Sequence, residues 1–536
     1  MAPAVAIAAP GDRDPAFGVR GISAPPGGQI YSAAETPDGG TVYLSNSGDP
    51  GLSPLELRKV TASGAPDETF GTAGTGDLPD ALSAVAVAVS PSGRILVDGT
   101  VGQDAAVARL LGDGSVDATF GSAGIATVEL PGKRTSTSRI LAEPSGGAVV
   151  GITARDADGS SYVPSAGVLR LTEQGSPDSA FGTGGFSAFV PGSANALARD
   201  GAGRYLLGNT YEVTGHPTVA RFGTGGELDP SFGSGGVANL PLPMYGIFSG
   251  AVSAIAVDAT DRPVVFHGGR DLASTKGGGY STLTRLDAGG SVDAAFDASR
   301  IFAGSREQYR AFGASSLVID GDGRVVLAGA WQSTRYTGSA SDPAVARLLP
   351  NGAPDASFGD EGLAIVPALE LGAEVGYMNG LYLGTDGEIV AFGSGGARDY
   401  RKPRAPTFVR LLTGPGKADA DADAIPDRRD QCPLTDGRGR NGGCPLQQRR
   451  VKIVGRSNNG FFTGVVVGAP GCASKVPVKL MRMVPGRDEV VGRGRTVSGR
   501  WNIAGDFPIG FYYAVTPRVR NNDVGICVRA RSRTAR

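Results

Sequence analysis

The amino-acid sequence predicts an all-β protein, and three observations carry this prediction. Glycine accounts for 85 of the 536 residues without a Gly-X-Y period, which indicates many tight turns between short strands. Apolar and polar residues alternate over short runs, as expected for β-strands, and no long helical period occurs. A sequence motif also recurs seven times, which predicts a repeated β unit.

The repeat contains the pattern Asp-x-x-Phe at spacings of 50–64 residues, followed by glycine in every copy except the sixth, where Asp297 stands. Its phenylalanines are Phe17, Phe70, Phe120, Phe181, Phe232, Phe296 and Phe358. Strand-like runs that end in arginine alternate with these turns. The arginines are Arg58, Arg109, Arg170, Arg221, Arg285, Arg347 and Arg410. Each repeat offers about four short strands, which is the pattern of one β-propeller blade.

The ends of the array predict a closed ring. Asp14 and Phe17 have no arginine strand before them, and Arg410 has no Asp-x-x-Phe turn after it. A ring resolves both deficits, because the N-terminal turn then completes the last blade and no long strand edge stays unpaired. An open solenoid is the alternative, and it would leave two half-blades. The sequence therefore predicts a seven-bladed β-propeller closed by its N-terminal segment.

The repeated aspartates and arginines predict one structural ion pair, or clasp, in each blade. Aspartate in a turn accepts backbone N–H bonds, phenylalanine fills the space between blades, and glycine permits positive φ. A ring of functional charges is the alternative interpretation. The predicted pairs are Arg109 with Asp117, Arg347 with Asp355, and Arg410 with Asp14.

This motif resembles the delta-60 repeat family of bacterial secreted propellers, over residues 10–414. The Asp, Phe, Gly and Arg positions keep their spacing through nearly all copies. The resemblance implies a propeller-like array of this period, and it brings no catalytic activity with it.

An acidic segment after the array predicts a calcium site. Carboxylates stand at positions 1, 3, 5, 9 and 12 of a twelve-residue loop, with a backbone carbonyl at position 7. The predicted ligands are Asp419, Asp421, Asp423, Ile425, Asp427 and Asp430. Calcium accepts six to eight hard oxygens, whereas the histidine or thiolate ligands that zinc prefers are missing here. A solvated acidic hinge is the alternative.

The same segment resembles a thrombospondin type 3 repeat, in which spaced aspartates precede Cys-Pro. Here Cys432 and Pro433 follow the aspartates. Ala424 departs from that pattern, since glycine is usual at this position and a non-glycine residue at positive φ costs on the order of 1 kcal/mol. We expect weakened calcium affinity.

Four cysteines lie in the last quarter of the chain, outside any Cys-x-x-Cys spacing, which favours an oxidising, extracellular compartment. Local pairing predicts Cys432–Cys444 and Cys472–Cys527, one of three possible connectivities. Residues 448–536 alternate as a small β-sandwich of immunoglobulin-like or prealbumin-like appearance. Its Trp501, Phe511, Tyr512 and Tyr513 predict core packing, with a sugar-stacking patch as the alternative.

The predicted domains differ in charge. Residues 1–9 resemble a signal-peptide remnant, residues 10–414 form the repeat array, and residues 415–447 form the acidic linker. Residues 447–536 carry 17 basic against 4 acidic side chains, which suits a cell-wall or extracellular polyanion, although a merely soluble surface is the alternative. No apolar run of about 18 residues occurs, so we expect no membrane-spanning helix.

Two functions remain open at this stage. The first is a calcium-binding extracellular protein that binds a glycan or polyanion, with the propeller as its platform. The second is a secreted glycan hydrolase or lyase, which would need paired acids about 5 to 10 Å apart in the channel. The two histidines, His216 and His267, lie in no metal or catalytic-triad context. Nucleic-acid binding would need arginines interleaved with aromatics, which the basic end shows only in part.

Overall fold

The computed structural model describes most of the repeat array and parts of the C-terminal region. The described residues are 10–46, 54–160, 163–211, 215–242, 248–271, 279–299, 310–333, 341–371, 373, 375–385, 387–396, 404–413, 446–447, 449–457, 461–468, 476–483, 488–498, 500–504, 512–516, 519–521, 525–527 and 530–532. The chain divides into two compact units. One contains residues 16–364 and 373–411, and the other contains residues 1–15, 365–372 and 412–536.

Short antiparallel strands make up the repeat array. They are β1 (Ile22–Ser23), β2 (Ile30–Glu35), β3 (Thr41–Ser45), β4 (Glu56–Val60), β5 (Ser83–Val89), β6 (Ile95–Val101), β7 (Asp104–Leu110), β8 (Ile125–Val128), β9 (Lys133–Ala142), β10 (Ala148–Asp156), β11 (Ser165–Leu171), β12 (Val190–Pro191), β13 (Ser193–Arg199), β14 (Tyr205–Tyr211), β15 (His216–Phe222), β16 (Val237–Asn239), β17 (Phe248–Val257), β18 (Pro263–Asp271), β19 (Gly279–Arg285), β20 (Arg310–Ile319), β21 (Val325–Ser333), β22 (Ser341–Leu348), β23 (Leu363–Ile365), β24 (Val375–Leu383), β25 (Ile389–Gly396) and β26 (Arg404–Leu411). A short 3-10 helix spans Ala368–Leu371. The all-β prediction is confirmed.

These strands form seven sheets within the described part of the array. Strands β5–β8, β9–β12, β13–β16 and β20–β23 make four-stranded sheets, while β2–β4 and β17–β19 make three-stranded ones. The seventh sheet has the order β1-β26-β25-β24. The first strands of successive sheets are in contact, from β2 through β5, β9, β13, β17 and β20 to β24, and β24 in turn contacts β2.

The N-terminal strand β1 joins the last sheet of the array. Ile22 pairs with Val409 and Ser23 with Phe408, and the Arg410 N–H donates to the Gly21 carbonyl at 3.0 Å. Antiparallel pairing satisfies backbone groups that would otherwise leave β26 with a bare edge. The first and last segments of the array therefore share one sheet.

Apolar side chains fill the spaces between neighbouring sheets. Leu96 and Val107 of one sheet pack in a common cluster with Val150 of the next. The last and first sheets pack in the same way. The ring centroids of Phe408 in β26 and Tyr43 in β3 lie 5.3 Å apart in an edge-to-face arrangement. Strands such as β3, β7 and β10 are buried along most of their length, because these apolar layers cover both faces of a sheet.

The C-terminal region contributes three further sheets among its described residues. Their strands are β27 (Leu446–Gln447), β28 (Arg449–Ser457), β29 (Phe461–Gly468), β30 (Pro477–Arg482), β31 (Glu489–Arg495), β32 (Arg500–Ala504), β33 (Tyr512–Thr516), β34 (Val519–Asn521), β35 (Gly525–Cys527) and β36 (Ala530–Arg531). Trp501, Tyr512 and Phe462 lie in one apolar cluster and are buried. These aromatics pack in a core, so the sugar-stacking alternative is wrong for Trp501 and Tyr512.

Candidate functional site

The repeated arginines form ion pairs with the aspartates of the turns that follow them. Arg109 Nε lies 2.9 Å from Asp117 Oδ2, and Arg347 Nε lies 2.8 Å from Asp355 Oδ2. Equivalent contacts join Arg170 to Asp178, Arg221 to Asp229 and Arg285 to Asp293. The two residues of each pair are eight positions apart in the sequence. The arginine lies near the end of a strand and the aspartate lies in the turn that follows it.

Five of the repeated arginines also reach the following sheet: Arg109, Arg170, Arg221, Arg285 and Arg410. Nη1 of Arg221 donates to the Ala288 carbonyl at 2.6 Å, and Nη1 of Arg170 donates to the Thr224 carbonyl at 2.8 Å. The same kind of contact joins the last sheet to the first, because Nη1 of Arg410 donates to the Ala62 carbonyl at 2.8 Å. The planar guanidinium can therefore hold an aspartate of its own sheet and a carbonyl of the next sheet together.

The repeated phenylalanines lie under these guanidinium groups. Six pairs have a Cζ-to-ring-centroid distance between 4.4 and 4.8 Å. One of them joins the chain ends, because Arg410 lies over Phe17 at 4.8 Å. Cation–π attraction adds about 0.5–2 kcal/mol per contact. The arrangement connects neighbouring sheets and leaves the guanidinium groups occupied, which favours a structural role.

The first sheet corrects one sequence assignment. The sequence pattern places Arg58 in the clasp series. In the first sheet, however, Lys59 occupies the strand position of the clasp arginine, because it pairs with Val42 as Arg109 pairs with Leu96. The Asp67 N–H donates to the Lys59 carbonyl, and Lys59 Nζ lies 3.6 Å from Asp67 Oδ2. The signal was present in the sequence, because Lys59 stands eleven residues before its phenylalanine, the spacing of the other internal copies, while Arg58 stands twelve before it.

The pKa values of the clasp aspartates Asp117, Asp229, Asp293 and Asp355 are lowered, so these groups hold their charge at neutral pH. Hydrogen bonds from the Ser231 hydroxyl hold the pKa of Asp229 below its usual value. Burial opposes ionisation of Asp117 and Asp355, yet hydrogen bonds from Thr119 and Ser357 together with the paired arginines outweigh it and lower both pKa values. The pairs are therefore ionised and hydrogen-bonded, as a buried ion pair must be to persist.

The predicted Asp14–Arg410 pair remains a prediction, because the two residues fall in different compact units. Asp14 itself is buried, at 8% exposure. Close to it along the chain, the Leu412 N–H donates to the Asp12 carbonyl at 2.8 Å, and the Gly11 N–H donates to the Leu412 carbonyl at 2.8 Å.

The predicted calcium loop and three of the four cysteines lie outside the described residues. These positions are Asp419, Asp421, Asp423, Ile425, Asp427, Asp430, Cys432, Cys444 and Cys472. Cys527 ends strand β35. Among the residues that the structure does describe, no group of three or more His, Cys, Asp or Glu side chains could hold a metal ion. No helix in the described part is long and apolar enough to cross a membrane.

His267 is fully buried in β18, where Nε2 lies 3.0 Å from the Thr284 hydroxyl. Burial lowers its pKa to about 4, so the imidazole is neutral at physiological pH. A neutral histidine enclosed in the core fits a packing role.

The first strands of all seven sheets share a β-bulge at an equivalent place. In six of them one residue is left out of the pairing, and in β9 Ser138 and Arg139 both lie opposite Gly151. The six residues are Tyr31, Val85, Asn195, Ser253, Ser315 and Asn379. Bulges redirect side chains and often lie beside functional sites. Sequence reasoning missed this feature, because a bulge depends on pairing between strands.

The first strands are poor in acidic residues. Glu35 is the only Asp or Glu within the spans of β2, β5, β9, β13, β17, β20 and β24. Serine, threonine, asparagine, alanine and glycine are frequent there instead. The Glu35 carboxylate accepts hydrogen bonds from the Thr385 N–H at 3.1 Å and hydroxyl at 3.0 Å.

A buried carboxyl lies behind one bulge. Asp98 of β6 is fully buried, and its Oδ1 accepts a 2.8 Å hydrogen bond from the Ala86 N–H at the bulge of β5. Burial raises the pKa of Asp98 to about 7, although Thr137 and Arg139 of the next sheet partly oppose this. The only sequence signal was a lone acid in the apolar run Ile-Leu-Val-Asp98.

Two segments of the chain match a protein-family model. Residues 90–120 and 321–358 match the family described as "Domain of unknown function (DUF5122) beta-propeller". The chain carries β-propeller repeats. Each matched segment encloses one complete clasp, Arg109 with Asp117 or Arg347 with Asp355, together with the phenylalanine beneath it.

No curated protein matches the chain. Among solved structures, prolyl oligopeptidase B from Galerina marginata, bound to a 25mer macrocyclization substrate, has 12% identity and a TM-score of 0.37, over 82% of this chain and 55% of that one. An endo-arabinase from Bacteroides thetaiotaomicron has 12% identity and a TM-score of 0.26, over 52% of this chain and 95% of that one. The first match thus spans about half of its relative's length, and at these scores neither likeness carries a functional argument.

Proposed function

We propose that this chain is an extracellular, calcium-binding protein whose repeats form a closed seven-bladed propeller of the delta-60 type, and that the ring is a platform for binding a glycan or polyanion. Three features support the ring: the cyclic contacts of the first strands, the β1–β26 pairing and the stacking of Arg410 on Phe17. In this arrangement the first strands line a central channel, as in other propellers.

The composition of the first strands is the observation that favours binding over catalysis. Glycoside hydrolysis needs two carboxyl groups about 5 to 10 Å apart. Within the described first strands Glu35 is the single acid, and it is hydrogen-bonded to Thr385. Hydroxyl and amide side chains suit recognition of a polar ligand instead.

A glycan and polymer array with the full chain, run with and without a calcium chelator, tests this proposal. We expect binding to an acidic wall or matrix polymer that weakens with rising salt, because residues 447–536 carry 17 basic and 4 acidic side chains. Chelation should weaken binding further. Absence of binding to every polymer, or release of cleavage products from one of them, would count against a binding platform.

Calcium binding is proposed for the aspartates of the acidic loop. Titration of the full chain with calcium should release heat, and the double variant D421N/D423N should lose it, since calcium needs the charged oxygens. D158N is a matched control, because Asp158 is an exposed turn residue in the propeller. Equal heats from the two variants would place calcium elsewhere. In the same region we propose the disulfides Cys432–Cys444 and Cys472–Cys527 and a C-terminal β-sandwich.

A further inference from the structure

Arg139 has an unusual environment in the bulge of β9. Its side chain is exposed to water, yet desolvation by surrounding protein lowers the pKa of its guanidinium. Arg139 stands on a first strand, and the first strands of the seven sheets contact one another in a cycle around the space that they bound. In the described part of the chain it donates one hydrogen bond, to the Ser138 carbonyl at 3.3 Å, and makes no ion pair. Most of its five donors are therefore available to a ligand.

Asp98 lies behind this arginine and interacts with it electrostatically. The hydrogen bond from the Ala86 N–H fixes its Oδ1, while Oδ2 makes no hydrogen bond to any described residue. The Thr137 hydroxyl approaches the carboxyl without reaching hydrogen-bond geometry. A ligand cannot touch Asp98, because it is fully buried. Asp98 can therefore affect a bound ligand only through its charge interaction with Arg139.

We propose that Arg139 binds the carboxylate of an acidic sugar in the space bounded by the seven first strands. This inference rests on the proposed binding function and names its ligand class. The guanidinium fork matches a carboxylate in a bidentate geometry. At other bulges the hydroxyls of Ser253 and Ser315 can hydrogen-bond to a sugar, and Tyr31 is 43% exposed and can stack on a sugar ring. The amide groups of Asn195 and Asn379 donate to Thr210 and to the Ile30 carbonyl, which leaves their amide oxygens as acceptors.

The charge at the site favours a carboxylate over a phosphate. Arg139 with the acidic Asp98 beside it supplies at most one positive charge at the bulge, which suits a monoanion better than the dianionic form of a phosphate. Arg199, in the next sheet, lies 3.8 Å from Glu143 and so adds no uncompensated charge.

The test is calorimetric titration of the full chain with trigalacturonate and with its methyl ester, which keeps the sugar and removes the negative charge. We expect the acid to bind about tenfold more tightly than the ester, and R139A to lose about tenfold in affinity for the acid. R139K should lose several-fold, because lysine lacks the planar fork. D98N should bind the acid as tightly as the wild type or more tightly, because it removes a competing negative charge. R199A is the matched control and should bind as the wild type does.

Several results would overturn the inference: no binding of trigalacturonate to the wild type at millimolar concentration, equal binding of acid and ester, unchanged binding by R139A and R139K, or an equal loss in R199A. Thermal melting of each variant separates a folding defect from a binding defect, and R139K serves if R139A does not fold. Failure of the wider proposal looks different. If the array finds a polymer that R139A still binds normally, the platform stands and the Arg139 site falls.

Discussion

At the scale of single residues, the fold depends on arginines that each hold several partners. Arg109 donates from Nε to Asp117, from Nη1 to the Glu173 carbonyl and from Nη2 to Thr119. Lysine offers one compact ammonium in place of this fork, so the two residues are not equivalent here. Lys59 shows the consequence, because it lies 3.6 Å from Asp67 and 2.6 Å from Asp38 instead.

We predict that R109K destabilises the protein by about 2–3 kcal/mol, because buried hydrogen-bond acceptors lose their donors. R94K is the matched control. Arg94 also approaches Asp117, at 3.5 Å, but its side chain is 44% exposed, and exposed pairs contribute about 0–1 kcal/mol. Chemical denaturation of both variants measures the difference. Similar losses in the two would show that the clasp geometry contributes little.

Asp98 gives a prediction about pH. Burial raises its pKa to about 7, above the unfolded value of about 3.9, so the folded state holds the proton more tightly. Its contribution to stability is therefore complete below about pH 4 and is lost as the pH rises through about 7. D98N should gain stability over the wild type across this window, by at most about 1.4 kcal/mol per pH unit. Urea denaturation between about pH 5 and pH 8 tests it, and a difference independent of pH would contradict it.

At the scale of elements, five turn glycines fit against the phenylalanine of the preceding sheet: Gly64, Gly114, Gly175, Gly226 and Gly290. Gly175 has a φ of 80°, and a Cβ there would lie 2.8 Å from the Gly121 nitrogen and 3.1 Å from the Phe120 ring. Positive φ and close approach both require glycine at this position. Glycine recurs three residues before the turn aspartate because turns of adjacent sheets touch there.

A pair of glycine substitutions separates these two effects. Gly184 has a φ of 62° with open space around the Cβ position, so G184A should cost only about 1 kcal/mol of backbone strain. G175A should cost more, because the clash adds to the same strain. Thermal unfolding of both variants provides the measurement. If G184A proved as damaging as G175A, contact between the sheets would not explain why glycine recurs at the position of Gly175.

At the scale of the whole molecule, stability depends on the pairing of the N-terminal segment with β26. Without β1 the edge of β26 would be open, and Arg410 would lose the Phe17 ring beneath it. Apolar packing between the last and first sheets also includes Phe17, so removal of this segment affects the core as well.

Truncation tests this dependence. We predict that a chain lacking residues 1–23 melts at a lower temperature and aggregates, because it exposes a strand edge and opens the apolar cluster. A chain lacking only residues 1–9 is the control and should melt as the full chain does. Equal melting of the two would mean that the array does not need its N-terminal segment for closure.

The sequence alone determined the all-β class, the period of the repeat and the clasp pairs Arg109–Asp117 and Arg347–Asp355, because these depend on local alternation, turn chemistry and fixed spacing. It also indicated that the first turn lacks a partner strand, which β26 supplies. Tertiary structure decided the rest. Lys59, and not Arg58, occupies the clasp position of the first sheet, because strand register rather than residue type decides which face of the sheet a side chain is on. The bulges, the buried Asp98 and the water-accessible Arg139 lie in different sheets, and only pairing between strands and burial between sheets brings them together.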